Sequence, residues 1–137
     1  MTSTGATNAI GSAVLAILQP FVRDSAPKAV DELGSAGASV ASALTAAAAA
    51  ISGDAVDMPS CSGSAKIVES LTMTALQTDG WPHVCWREAY VMAQLLLCCA
   101  DAAGGAVDDA KKRCERATIL GALPLPSHIG SRLDHHP

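Results

Sequence analysis

The chain has 137 residues and a formal net charge of −4, and half of it is apolar, yet it holds only one Phe, one Tyr and two Trp. That length fits one domain with a real core, and the acidic balance argues against nucleic acid, which needs a basic face for its phosphates. Strand-favouring residues are thinly spread and never alternate over a long run, which excludes a sheet, while the abundant alanine suits helices whose backbones approach closely.

In chain order, the first helix is expected over 8–22, "NAIGSAVLAILQPFV", with Pro20 kinking or ending it. A short second helix is expected from Pro27 to Gly34, with the proline in its first turn. The stretch 35–53, "SAGASVASALTAAAAAISG", is uncharged but made of Ala, Ser, Thr and Gly rather than Leu, Ile and Phe. Insertion into a membrane would gain it little, so it reads as a packed helix over about 37–52. The segment "GDAVDMPSCSGS" reads as a loop, followed by a helix over about 64–77 with Ile67, Val68, Leu71 and Ala75 at helical spacing. After the break "TDGWP", helices are expected over 83–103 and 107–121, separated by Gly104–Gly105. Residues 1–123 then form one all-α domain of three antiparallel helical pairs (8–34, 37–77 and 83–121), and 124–137 is a Pro- and His-containing tail.

Five cysteines, with Cys98 and Cys99 adjacent, do not suit a disulfide framework. The absence of charge before Arg23 does not suit a signal or transit peptide. The expected setting is a reducing compartment, the cytoplasm first.

The stretch "WPHVCWREAYVMAQLLLCCADAAGG" crowds two tryptophans, a histidine and three cysteines into 81–105. Structural zinc sites pair ligands two to four residues apart, and "HVC" has no second such pair. Cys98 and Cys99 point about 100° apart on a helix, which suits shared coordination poorly. The stretch therefore reads as a joint leading into a buried run, "VMAQLLLCCA", with cysteine as a small hydrophobe. No metal or other cofactor is expected, although a Cys/His metal-binding helical protein stands as an alternative. Cys61, in the Ser- and Gly-rich segment, is the best candidate for an exposed regulatory thiol. No Gly-rich phosphate loop, HExxH helix or GxSxG elbow occurs, so no enzyme activity is expected and no catalytic residue is nominated.

An offset of 45 residues places Ala65-Lys66 on Ala110-Lys111 and "HVCWR" at 83–87 on "HIGSR" at 128–132. An offset of 51 aligns "SGDAVD" at 52–57 with "AGGAVD" at 103–108, the change being absorbed around "MPSCSG". With Ala110 and Ala117 seven apart, Leu120 three further on and Gly105 five before, the unit resembles a tetratricopeptide repeat. Its long variant, as in kinesin light chains and the C-terminal domain of SET-and-MYND lysine methyltransferases, places a His before each pair, where His83 and His128 stand. The resemblance covers 37–132, departs from the pattern at Gln94 and Asp101, and includes nothing like a SET domain, so no methyltransferase chemistry carries over.

What the resemblance implies is a short solenoid, the alternative being a compact helical bundle. A solenoid's concave face receives a peptide or helix. On the helix over 83–103 that face would carry Arg87, Tyr90, Gln94 and Asp101, with Lys111 and Lys112 steering an acidic partner. The expected role is a non-catalytic adaptor or assembly subunit with a protein or peptide partner, not nucleic acid or a membrane. Because the 37–52 helix is too alanine-rich to hold itself in place, a copy of the chain or a larger complex is the alternative partner.

Overall fold

The computed structural model describes residues 9–52, 55–79 and 84–120. Among them are five α-helices: α1 (Ala9–Leu33), α2 (Ala38–Ser52), α3 (Met58–Asp79), α4 (Val84–Ala103) and α5 (Val107–Leu120), with a 3-10 turn at Ser35–Gly37 leading into α2. No described residue is in a strand, so the chain is all-α, as its composition predicts. Trp81, His83 and the whole of 121–137, including His128 and Arg132, lie outside the described residues.

The first difference from expectation is α1. It is one helix of 25 residues that passes through both Pro20 and Pro27, so the expected pair within 8–34 is a single element. Each proline removes the amide donor for the carbonyl four residues earlier, here Ala16 and Arg23. Both prolines are exposed, which leaves those carbonyls open to water. Meanwhile Val14, Leu18, Val22, Ala26, Ala29 and Leu33 are buried at helical spacing along the opposite side. That continuous apolar stripe outweighs two local breaks.

The second difference is α3, which starts at Met58 rather than near residue 64. The Ser60 amide donates to Asp57 Oδ1 (3.0 Å) and the Ser60 hydroxyl to Asp57 Oδ2 (2.7 Å). Asp57 is thus the N-cap, and Pro59 falls in the first turn, where no amide is needed. "MPSCSG" is helix rather than loop, so the change of repeat offset falls inside an element.

Two other ends are closed by specific bonds. The Gln19 amide of α1 donates to the Ile51 carbonyl (2.7 Å), capping the last turn of α2. After α4, Ala106 N donates to Asp101 O (2.8 Å) and Gly105 N to Ala102 O (3.1 Å). Gly105 has φ 88°, so this is a Schellman stop that needs glycine, as the Gly104–Gly105 reading predicts.

Short connections make consecutive helices antiparallel hairpins. α3 packs on α2 and α4, as a stack of hairpins requires. α1 packs on α2 and also on α4, a contact that stacking alone does not supply. Four helices therefore close into a ring in chain order, and α5 lies outside it against α4. The α1–α4 seam is tight: a Cβ on Gly11 would lie 2.7 Å from Ala103 Cα. With neighbours on every side, α4 is buried without interruption from Ala89 to Cys99, as the run "VMAQLLLCCA" predicts.

Candidate functional site

The expected binding face on α4 is not an open surface. Arg87 is exposed, but Tyr90 is 5% exposed and Gln94 is fully buried. α5 folds back across this side of α4, and α3 covers it from the other direction. The Gln94 amide donates to Glu69 Oε2 of α3 (2.5 Å), and its carbonyl accepts from Arg113 Nη1 of α5 (3.3 Å). Arg113 Nη1 also donates to Glu69 Oε2 (2.9 Å), while Nε donates to Asp101 Oδ2 (2.9 Å). Burial works against the Arg113 charge, but the Asp101 bond and the two carboxylates outweigh it and hold its pKa above the ordinary value.

Glu69, Gln94, Asp101 and Arg113 thus form one network joining three helices, and Gln94 is buried because both ends of its amide are satisfied. Polar residues at helical spacing look the same whether they face water or a neighbour's polar group. The signal for the second case was the basic cluster of α5 facing the same side. Lys111 is half-buried and Lys112 exposed. Lys112 and Arg116 border a pocket of about 130 Å³ with Asp101, Asp109 and Arg113, where the charges of both signs largely cancel.

The cysteines are free thiols set in packing positions. Cys61, Cys85, Cys98 and Cys99 are buried and Cys114 is half-buried. Cys61, expected on an exposed loop, is fully buried inside α3. Burial, with Asp57 nearby, pushes its thiol up to about 11. Burial likewise pushes Cys98 and Cys99 up to about 12, aided by Cys114 and Cys61 respectively. Thiols so raised stay protonated at neutral pH and are poor nucleophiles and ligands. Among the described residues, no three His, Cys, Asp or Glu side chains converge as metal ligands would, and no helix is long and apolar enough to cross a membrane.

A ligand-like surface lies where sequence reasoning nominated nothing, between α1 and α2. There a groove of about 520 Å³ has Val22, Ala26 and Val30 along α1 and Ala48 on α2. It exists because the facing side chains of α2, Thr45, Ala48 and Ser52, are too small to fill the space beside α1. Its volume is in the range of pockets that hold a substantial ligand. The hydroxyls on its α2 wall are spoken for, since Thr45 Oγ1 donates to Ala41 O (2.8 Å) and Ser52 Oγ to Ala48 O (2.5 Å). Such back-bonding leaves a polar residue with little unmet demand at a dry contact. Arg23 and Asp31, both exposed, flank the groove from α1. The visible signal was the uncharged 35–53 stretch, which is as bare of charge on its outer side as on its inner one.

No family model matches the chain, and no curated protein or solved structure matches it.

Proposed function

We propose that the protein is a non-catalytic protein–protein interaction module, an adaptor or assembly subunit, whose α1–α2 groove receives an apolar helix. The single observation behind this reading is the groove itself: an apolar trough with back-bonded hydroxyls and a charged residue of each sign on its edge. Covering it removes apolar surface from water without stranding a donor or a buried charge. An amphipathic helix laid into such a trough is a common mode of recognition. The tetratricopeptide resemblance is compatible with the same role, with peptide recognition moved from α4 to α1–α2.

The test is selection of helical peptides from a displayed library against the purified chain, with Ala48→Asp as the counter-target. Ala48 is half-buried on the groove wall, so the carboxylate would enter the trough. Selected peptides are expected to carry an apolar stripe and to lose about tenfold or more in affinity for Ala48→Asp. A selection that yields nothing, or peptides indifferent to the substitution, would overturn the reading.

A further inference from the structure

The exposed edge of α1 carries its own complement. Arg23, Pro27 and Asp31 are spaced four residues apart on one side of the helix, and all three are exposed along the groove. We propose that the groove's occupant is a second copy of this chain, docked about a two-fold axis beside Pro27, with Arg23 of each copy on Asp31 of the other. This rests on the reading of the groove as an interface.

The argument is one of symmetry and charge. An interface between identical copies must be self-complementary: if one residue meets another, the reverse contact also occurs. Two antiparallel α1 helices crossing at Pro27 place residues four before the axis against residues four after it. Those residues are a cation and an anion, so the arrangement makes two ion pairs, each about 6 Å from the axis along the helix. A parallel pairing in register would set Arg23 on Arg23 and Asp31 on Asp31, so the charges select the antiparallel form.

The rest of the edge agrees. Ala16 and Pro20 continue it without charge, and both are exposed. Of the other charges of this part of α1, Asp24 is exposed beside Arg23, while Lys28 and Glu32 act on Glu88 at the start of α4, which places them away from this edge. Across the groove, α2 exposes Ala46 and Ala49 beside the back-bonded Thr45 and Ser52, with no charge from 35 to 52.

Sedimentation equilibrium of the whole chain tests the proposal through a charge swap. The wild type is expected to dimerise, and Arg23→Asp and Asp31→Arg are each expected to weaken the dimer about tenfold or more. Mixing the two variants in equal amounts is expected to restore a wild-type-strength heterodimer, because each then offers the charge the other lacks. Both sites are exposed, and unchanged circular dichroism would show that each variant folds. A monomeric wild type, variants that dimerise like the wild type, or a mixture that fails to recover would each overturn the second copy as occupant. A monomeric wild type that still selects Ala48-sensitive peptides overturns this proposal and leaves the proposed function standing. A swap-dependent dimer that Ala48→Asp leaves intact overturns the groove as the contact.

Discussion

Closure of the helical ring depends on a contact that one methyl group can test. Gly11 of α1 lies against Ala103 of α4, and a Cβ at position 11 would sit 2.7 Å from Ala103 Cα, 2.9 Å from its Cβ and 3.1 Å from its N. Ordinary contacts between such carbons are nearer 4 Å, so the overlap exceeds about 1 Å. Two of the three atoms are backbone, and no rotamer relieves them. In Gly11→Ala, α1 must either move off α4 or fray its first turn. Moving it loosens the apolar seam in which Val14 and Leu18 pack with Val91, Leu95 and Ala102.

Overpacking of this kind costs about 1–3 kcal/mol. The helix preference of alanine over glycine returns up to about 1 kcal/mol, and less this close to a helix start. The expected net loss is about 1–2 kcal/mol, or roughly 3–7 °C in Tm for a chain of this size. The assay is thermal and urea unfolding followed at 222 nm. Gly63→Ala is the matched control: Gly63 lies inside α3 with nothing within 4 Å of its would-be Cβ. It is expected to gain about 0.5–1 kcal/mol. If Gly11→Ala proved as stable as the wild type while Gly63→Ala gained, α1 would not lie against Ala103 and the ring would be open there.

Arg113→Met removes the hub of the polar network, leaves Asp101 and the Gln94 carbonyl without this donor, and takes from Glu69 one of its donors, the Gln94 amide remaining. With side chains 19–27% exposed, water compensates in part, so urea unfolding should show a loss of about 1–2 kcal/mol. Lys112→Met on the exposed side should cost within about 0.5 kcal/mol. Ala117, fully buried in α5, has no room for a large ring, so Ala117→Trp should detach α5 from α4. The cost is about 3 kcal/mol or more, read as a fall in helicity. The Ser60 hydroxyl and amide hold the exposed Asp57 carboxyl below its ordinary pKa. Its cap is fully formed above the unfolded pKa, near 4, and lost as pH falls through the lower folded value. Asp57→Ala should therefore lower Tm most at pH 7 and hardly at all by pH 2. Finally, Cys61, Cys98 and Cys99 should resist alkylation at pH 8 in the folded chain and react once urea exposes them. Fast native labelling at any of the three would refute their burial.

Helical periodicity is a local property, and it placed helix wherever the described residues have one apart from the first turns of α3, although it divided α1 in two. The spacing of Val40, Leu44, Ala47 and Ile51, the Gly104–Gly105 stop and the buried run of α4 were all legible because each depends on residues within a turn or two. The first turns of α3 were legible as well, in an Asp that caps the amide three residues on, but Gly, Ser and Pro outweighed it in a loop reading. Pro20 and Pro27 misled for the same reason. Local rules say that Pro20 ends a helix and Pro27 opens another, and only the stripe buried against α2 and α4 offsets the two breaks.

The candidate site was far less legible. Tyr90, Gln94 and Asp101 share a helix face in the sequence, but which helix covers that face is a matter of contacts 19–44 residues away along the chain, made through Arg113 and Glu69. The groove between α1 and α2 left no motif, since it is a space defined by what two helices fail to fill.

By itself, then, the sequence determined an all-α chain, the glycine stop after α4, and the apolar run that α4 buries. Only the tertiary structure decided that α1 closes a ring onto α4 at Gly11, that the polar face of α4 is a joint, and that an open apolar groove lies beside α2. The physical reason is range: hydrophobic period and capping act over a few residues, whereas burial and complementarity depend on which surfaces meet.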